Sequence, residues 1–517
     1  MTTILQPRVS LALASAEQDV QNTPQKVLLV GQITIAGSAA DGSLTENVAS
    51  TGDPEDALFG ENSQLASMVR HFKSVNSIVQ VDCLAVDDAG GGTAREVTVT
   101  FIGTATEAGT LTIVVGSEVD HAIDVAVASA DDETAIALAA KTAINLDTEA
   151  PFTADSSSGV LTLTAVNAGT VANTLGVEAI GEVAGVTGQA VAESVPGATD
   201  PTLTDILDVA TSRYQGIVWP WSENSQTQPV EDYLNVRFNA ENAILDGVAF
   251  TPVVDSHANV LTLLDGLNSH DLVIFADKLE SETDYAGPAQ NEAGYNKCAL
   301  FVGIRALRLT SDASISRFLV SSASKDQFGG PALASLPYFN TVMSELPGIS
   351  AGRGWTDGEV EQLTDAGGSV MGINPAGDSG LSGEVVTTYL TDGAGNPDVT
   401  FTFLNYVDTS SNIREYFFNN YKARFAQSRL TEGNLSRGRD VANELSIRAF
   451  SEQLYQDLSN DEFVLVQSGE AAFDFYKQNL DVELDLSEGK VTITMFVAIV
   501  TQLRTIIGTI KIAFSTS

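Results

Sequence analysis

The clearest indication of the fold lies in residues 247–278, GVAFTPVVDSHANVLTLLDGLNSHDLVIFADK. It consists of an apolar strand-like run, an apolar helical stretch and a second strand-like run. The same order precedes it, from RYQGIVWPW (213–221) through a predicted helix at 229–244. Apolar strands that alternate with helices are typical of an open, largely parallel sheet. We therefore predict an α/β sheet domain at residues 201–383.

Upstream of this sheet, the chain carries two further strand-like runs with a helix between them. QKVLLVGQITIA (25–36) and SIVQVDCLAV (77–86) have the composition of buried strands. The helix between them has one apolar face at positions i, i+3, i+4 and i+7, formed by Leu65, Met68, Val69 and Phe72. These patterns predict that residues 21–92 form the N-terminal part of the core.

A strongly acidic stretch separates these two regions. Residues 96–200 contain 15 acidic residues and one basic residue, Lys141, which gives a local charge of −14. Short alternating runs predict strands, and DDETAIALAAKTAIN (131–145) predicts a helix. We therefore predict a self-contained, inserted, small β-rich domain at residues 93–200. The Gly- and Pro-punctuated tract at 182–201 is predicted to be its flexible exit linker.

The C-terminal region is predicted to be an α+β domain at residues 384–504. EVVTTYLTD (384–392) and DVTFTFLNYVD (398–408) are predicted to pair as a hairpin, with helices and more strands after it. The predicted fold class is thus a multidomain α+β and α/β protein with an inserted β-rich domain.

Both ends of the chain have the period of a strand. In residues 1–20 the alternating apolar positions are Val9, Leu11 and Leu13, and in residues 505–517 they are Ile510, Ile512 and Phe514. Such segments can add a strand to the sheet of another subunit. The alternative is an edge strand within the same domain, and the sequence leaves both open.

The net charge of −41 disfavours nucleic acid and anionic membranes as partners, because the field of the chain would repel them. The run VTITMFVAIV (491–500) is far shorter than the roughly 20 residues of a membrane helix, so no membrane insertion is predicted. Two cysteines do not make a disulfide framework.

Positive charge collects at residues 412–448, with seven basic against four acidic residues. Projected as a helix, Lys422 and Arg429 lie on one flank of an aromatic face and Arg424 on the other. Two interpretations stay open: a solvated basic edge, or a surface that faces an acidic partner.

No residues with the spacing of a catalytic, cofactor-binding or metal-ligating site stand out. Asp255, Ser256 and His257 are adjacent, so their side chains point apart and cannot form a serine-hydrolase relay. No phosphate-binding loop and no Cys/His pattern for zinc is present. The loop at 392–398 is predicted to be a plain turn. We therefore predict that the chain is not an enzyme and has no cofactor.

Several stretches together resemble the contractile tail sheath proteins, in particular the Mu-type phage group. They are residues 352–408, REYFFNNYKARFAQSRLTEGN (414–434), TMFVAIVTQLRTIIGTIKIAF (494–514) and LFGENSQLASMVRHFK (58–73). The resemblance implies that residues 384–504 form a sheath-type inner domain and that the inserted domain lies outside.

The resemblance also implies a function. Subunits of this family form hexameric rings that stack around a tail tube and contract, which pushes the tube through the host envelope. The implied partners are other copies of the chain, the tail tube protein, and baseplate and neck or tail terminator proteins. The implied location is the virion tail, after assembly in the host cytoplasm.

Carried over residue by residue, the two strand-like ends become arms that complete sheets in neighbouring subunits, and Lys422, Arg424 and Arg429 face the tube. Two alternatives remain. One is the sheath of a bacteriocin or a secretion-type contractile injection system, and the other is an acidic, β-rich surface-layer or adhesin protein.

Overall fold

The computed structural model describes most of the chain. The described residues are 25–48, 52–238, 246–311, 338–350, 352–374, 376–426, 428–433, 441–459 and 466–499. Within them the fold mixes 20 strands with 10 α-helices, which confirms the predicted mixed α and β character.

The strands, in chain order, are β1 (Lys26–Gln32), β2 (Leu44–Thr45), β3 (Gln80–Val86), β4 (Ala94–Gly103), β5 (Gly109–Val115), β6 (Ala122–Val127), β7 (Phe152–Ser157), β8 (Val160–Ala168), β9 (Val177–Ile180), β10 (Val186–Val195), β11 (Gly216–Val218), β12 (Val248–Asp255), β13 (Leu272–Ser281), β14 (Tyr285–Pro288), β15 (Gly368–Ile373), β16 (Ser379–Leu381), β17 (Arg429–Leu430), β18 (Val441–Ala442), β19 (Asp481–Asp485) and β20 (Lys490–Thr494). The α-helices are α1 (Pro54–Phe59), α2 (Gln64–Val75), α3 (Glu133–Ile144), α4 (Asn224–Phe238), α5 (His257–Asp265), α6 (Gly294–Ser311), α7 (Asp357–Asp365), α8 (Leu404–Phe425), α9 (Glu444–Ser459) and α10 (Glu470–Gln478).

A parallel sheet forms the centre of the molecule. Its strands lie in the order β3–β1–β11–β12–β13–β15, and each neighbouring pair runs parallel. Residues 247–278 form β12, α5 and β13, as the sequence predicts. The strands are almost entirely buried, since helices cover them, which is the usual setting of a parallel sheet.

Helix α2 packs against this sheet through the predicted apolar face. Leu65, Met68, Val69 and Phe72 have no exposed surface. The helix begins where the Ser63 side chain accepts a hydrogen bond from the Ala66 backbone at 3.1 Å, a common N-cap. The predicted helix at this position is confirmed.

The acidic module (residues 93–200) is built on two groups of strands. One is a four-stranded antiparallel sheet in the order β10–β4–β8–β7. The other consists of β5, β6 and β9. Strand β9 pairs with β14 through Glu178 with Tyr285 and Val177 with Ala286, and β14 pairs with the end of β13 in the central sheet. The module is thus not self-contained, because backbone pairing continues from it into the rest of the molecule.

The prediction of a flexible linker at 182–201 is wrong. Residues Val186–Val195 form β10, which pairs with β4 along most of its length. Small side chains and glycines suggested flexibility, but β4 supplies a ten-residue edge. Main-chain hydrogen bonds to that edge order the segment despite its composition.

The predicted pairing at 384–408 forms, but it is irregular. The antiparallel bridges Val386–Phe403 and Thr391–Pro397 join the two arms, with Thr387 N donating to the Thr402 carbonyl at 2.8 Å. The second arm is short, because α8 begins at Leu404. On its other edge the first arm meets the central sheet, where Thr388 N donates to the Leu272 carbonyl at 3.0 Å.

The described residues have two hydrophobic cores, and α8 passes through both. Leu404 and Val407 belong to the large core of the sheet and the acidic module. Ile413, Tyr416 and Phe417 belong to a smaller core with α9, α10 and the β19–β20 hairpin. Helix α8 therefore joins the C-terminal unit to the rest of the molecule.

Candidate assembly surface

The first half of α8 is held by a buried ion pair. Arg305 of α6 donates to both carboxylate oxygens of Asp408, from Nε at 3.2 Å and from Nη2, and the Tyr338 hydroxyl donates to the same group at 2.7 Å. Burial disfavours the guanidinium charge, but Asp408 outweighs it, so the pKa of Arg305 is raised. Arg305 therefore keeps its positive charge despite its burial.

A second polar contact holds the middle of α8. Arg213, which lies just before β11, donates to Glu415 Oε2 at 2.7 Å and to Ser411 Oγ at 2.9 Å. The Ser411 hydroxyl in turn donates to Asp246 at 2.9 Å. Together with the Arg305–Asp408 pair, these bonds fix the direction in which α8 leaves the sheet.

The second half of α8 has one aromatic face and one polar edge. Tyr416 and Phe417 are buried, and the Phe425 ring lies 5.4 Å from the Phe450 ring of α9 in an edge-to-face contact. The helix ends at Phe425, so Arg429 is not on it. The helical projection is wrong for Arg429, because this residue lies in the short strand β17 and pairs with Val441 of β18.

Lys422, Arg424 and Arg429 are exposed at this end of the molecule. Most other lysine and arginine side chains of the described residues lie within 4.0 Å of a carboxylate. Among the described residues, no carboxylate lies within 4.0 Å of Lys422, Arg424 or Arg429. The Lys422 ammonium lies 5.8 Å from the Phe418 ring. We call Lys422, Arg424 and Arg429 the basic surface.

The six predicted arm residues lie outside the described residues. They are Val9, Leu11, Leu13, Ile510, Ile512 and Phe514. Their role as inter-subunit strands stays a prediction.

Two motifs that suggested chemistry have structural roles. The Ser256 side chain caps α5 by accepting a hydrogen bond from Asn259 N at 3.4 Å. Asp392 closes a turn by accepting from the backbone of Ala394 and Asn396 at 2.9 and 2.8 Å.

Sequence reasoning missed one cluster of potential ligands. His71, Asp120 and Glu292 bring their nitrogen and carboxylate oxygen atoms within 4.8 Å of one another. These residues come from α2, from the loop after β5 and from the segment before α6. No linear spacing connects them, so only the fold reveals the cluster.

Comparison with known proteins agrees with the sequence resemblance. No family model matches this sequence. The Mu-like prophage FluMu tail sheath protein of Haemophilus influenzae is 24% identical over 471 residues, which cover 89% of this chain and 87% of that protein. A crystal structure of the sheath tail protein of Desulfitobacterium hafniense covers 96% of this chain and 98% of its own, with 11% identity and a TM-score of 0.45. The first match confirms the predicted resemblance to Mu-type tail sheath proteins.

In the part of the chain that the structure describes, no helix combines the length and apolar character that a membrane crossing requires.

Proposed function

We propose that this chain is the structural subunit of a contractile phage-type tail sheath and not an enzyme. The observation that carries the proposal is the likeness to the Haemophilus influenzae tail sheath protein, which extends over most of both chains. A likeness of this extent supports a shared role of the whole protein. In this role, hexameric rings of the chain stack around a tail tube and contract to push it through the host envelope.

The proposed partners are other copies of the chain, the tail tube protein, and baseplate and neck or terminator proteins. The proposed location is the virion tail, after assembly in the host cytoplasm. Contraction requires two arrangements of the same folded units with different interface energies. Energy is stored when the extended form assembles, so no fuel is needed at the moment of contraction.

The basic surface is proposed to face the tail tube. A cation that has no carboxylate within 4.0 Å among the described residues is expected to gain most from an acidic partner, and the basic surface carries three such cations in a chain of charge −41. The Arg305–Asp408 and Arg213–Glu415 pairs support this, because they fix the helix that presents Lys422 and Arg424.

The tube proposal is tested by charge reversal. We expect Lys422→Glu with Arg429→Glu to weaken co-sedimentation of the sheath protein with preformed tubes, and the wild-type interaction to weaken as salt is raised. The matched control is Lys141→Glu with Lys477→Glu, which changes the net charge equally at two half-buried, ion-paired lysines elsewhere. Equal co-sedimentation of both double variants would refute the role of the basic surface.

The β19–β20 hairpin is a proposed acceptor for a neighbour's arm. Among the described residues its sheet has two strands only, with Val482 and Leu484 facing the smaller core. A two-stranded sheet has two outer edges, and added strands would satisfy their backbone groups. Each such hydrogen bond contributes about 0.5–1.5 kcal/mol net, so a strand of them makes a durable link.

The arm proposal has a test that keeps the chain length constant. We expect the triple variant Ile510→Ser, Ile512→Ser and Phe514→Ser to abolish polymerisation and to leave a folded monomer. Deletion of residues 508–517 should have the same effect. The control is the triple variant Thr509→Ser, Lys511→Ser and Ala513→Ser, which changes the other face of the same predicted strand. Long sheaths formed by the first variant would contradict the proposal.

A further inference from the structure

His71, Asp120 and Glu292 meet at the junction between the acidic module and the central sheet. The His71 Nε2 atom lies 3.3 Å from Asp120 Oδ2 and 3.6 Å from Glu292 Oε1. Glu292 is fully buried, His71 is 11% exposed, and the Asp120 side chain is about half exposed at the rim. The cluster is thus closed at its base and open towards solvent on one side.

The imidazole of His71 is oriented as a ligand. Its Nδ1 atom lies 2.9 Å from the Ser67 carbonyl. A carbonyl can only accept, so Nδ1 carries the hydrogen, and Nε2 faces the two carboxylates. Metal-binding histidines commonly donate their second ring N–H to such an acceptor, which fixes the ring and the tautomer.

The two carboxylates are also held in place. Asn296 Nδ2 donates to Glu292 Oε1 at 2.7 Å, and Asn296 Oδ1 accepts a hydrogen bond from Ser67 Oγ at 3.1 Å. The loop that carries Asp120 is fixed to the same segment, because Glu118 N donates to the Asn291 carbonyl at 2.9 Å. The His71 and Glu292 side chains and the backbone of the Asp120 loop are therefore positioned by contacts outside the cluster.

One buried atom in the cluster lacks a partner. Among the described residues, Glu292 Oε2 accepts no hydrogen bond of normal geometry, although the side chain has no exposed surface. A buried carboxylate oxygen without a donor is costly. A cation bound between the carboxylates would satisfy it.

We propose that His71, Asp120 and Glu292 bind a divalent transition-metal ion, with Zn²⁺ as the best fit. One imidazole nitrogen with carboxylate oxygens is a donor set that zinc accepts. Two ligand atoms about 2.1 Å from a tetrahedral zinc lie about 3.4 Å apart, close to the 3.3 and 3.6 Å observed here. The fourth position is open to water through the rim, or to Glu292 Oε2.

The charge of the cluster points the same way. Two acidic side chains lie beside the imidazole, and their combined field attracts a cation. With neutral imidazole, the two carboxylates carry the charge of −2 that a divalent ion balances.

A metal at this site would link three remote parts of the chain. His71 belongs to α2, Asp120 to the acidic module, and Glu292 to the segment that leads into α6. The ion would lock the acidic module against the central sheet. This inference does not depend on the proposed sheath function.

The test measures zinc binding by the full chain. We expect chelator-treated protein to take up one Zn²⁺ per chain in equilibrium dialysis, and zinc to raise its melting temperature. Asp120→Asn, a substitution at the exposed rim, is expected to weaken binding at least about tenfold, since loss of even an outer-shell partner costs roughly 10–100-fold. His71→Gln should abolish binding. The matched control is Asp155→Asn, an exposed carboxylate of the same module that pairs with Lys141, and it should bind as the wild type does.

Three results would overturn the proposal. One is that the wild type retains no more zinc than Asp120→Asn. Another is that Asp155→Asn loses as much affinity as Asp120→Asn, which would indicate diffuse binding to the acidic surface. The third is a preference for Ca²⁺ or Mg²⁺ over Zn²⁺, because those ions favour oxygen ligands and would leave His71 without a role. The rim variant keeps the test valid even if His71→Gln does not fold.

Discussion

Asp408→Asn is expected to destabilise the α/β sheet strongly, because it leaves the Arg305 guanidinium buried without a counter-ion. The two side chains are 4% and 3% exposed, and Arg305 also donates to the Gln215 carbonyl at 2.8 Å, so it cannot easily turn towards solvent. The new amide would also place a donor against the donors of Arg305 or Tyr338. Breaking a buried pair on one side costs about 3–5 kcal/mol.

The assay uses the tryptophans of the same core. Trp219 and Trp221 are fully buried with ring centres 5.4 Å apart, so their fluorescence reports unfolding of the sheet. For an m-value of about 3 kcal/mol per M urea, the loss lowers the unfolding midpoint by about 1–2 M.

The control for this prediction is Asp155→Asn, which removes a carboxylate paired with Lys141 on the surface. Exposed pairs of this kind contribute little, so the midpoint should stay at the wild-type value. Equal urea midpoints for the Asp408 and Asp155 variants would contradict this prediction, because the buried pair would then contribute no more to stability than an exposed pair does.

Three further substitutions test other parts of the account. Asp271→Asn should stabilise the protein at pH 7, since burial raises the pKa of a carboxyl group whose oxygens accept no hydrogen bond among the described residues. The penalty on the wild type grows as pH rises above the unfolded value of about 3.9, so urea midpoints of the two proteins should converge towards pH 4. Gly247→Ala should cost about 1–3 kcal/mol or more, because its Cβ would lie 1.9 Å from the Tyr214 carbonyl oxygen, and an unchanged melting temperature would count against the packing described. Thr356→Ala should cost about 1 kcal/mol by removing the capping box with Glu359 at the start of α7, and hydrogen exchange of that helix should rise with no change in α5.

Periodicity was sufficient where one face of an element meets the core. The apolar face of α2 and the run of strand, helix and strand at 247–278 are predicted from the sequence because burial alone determines them. The exposure of Lys422 and Arg424 follows from the same pattern, since the aromatic side of α8 occupies the smaller core.

The sequence patterns could not predict which strands pair or which remote residues come into contact. β10 is a strand because β4 offers it an edge, although its own residues are small. The paired arms at 384–408 also join the central sheet through Thr388 N and the Leu272 carbonyl, a contact that no local pattern predicts. Likewise, His71, Asp120 and Glu292 meet only because a module loop is pinned beside the start of α6. In each case the deciding partner is far away in the chain.

The measurement that tests the central proposal most directly is negative-stain electron microscopy of the purified full-length chain at high concentration, alone and with its tail tube protein. From the proposed sheath function we expect hollow cylinders with regular cross-striations, in at least the sample with tubes. A chain that stays monomeric in both samples, with bare tubes in the second, would contradict it.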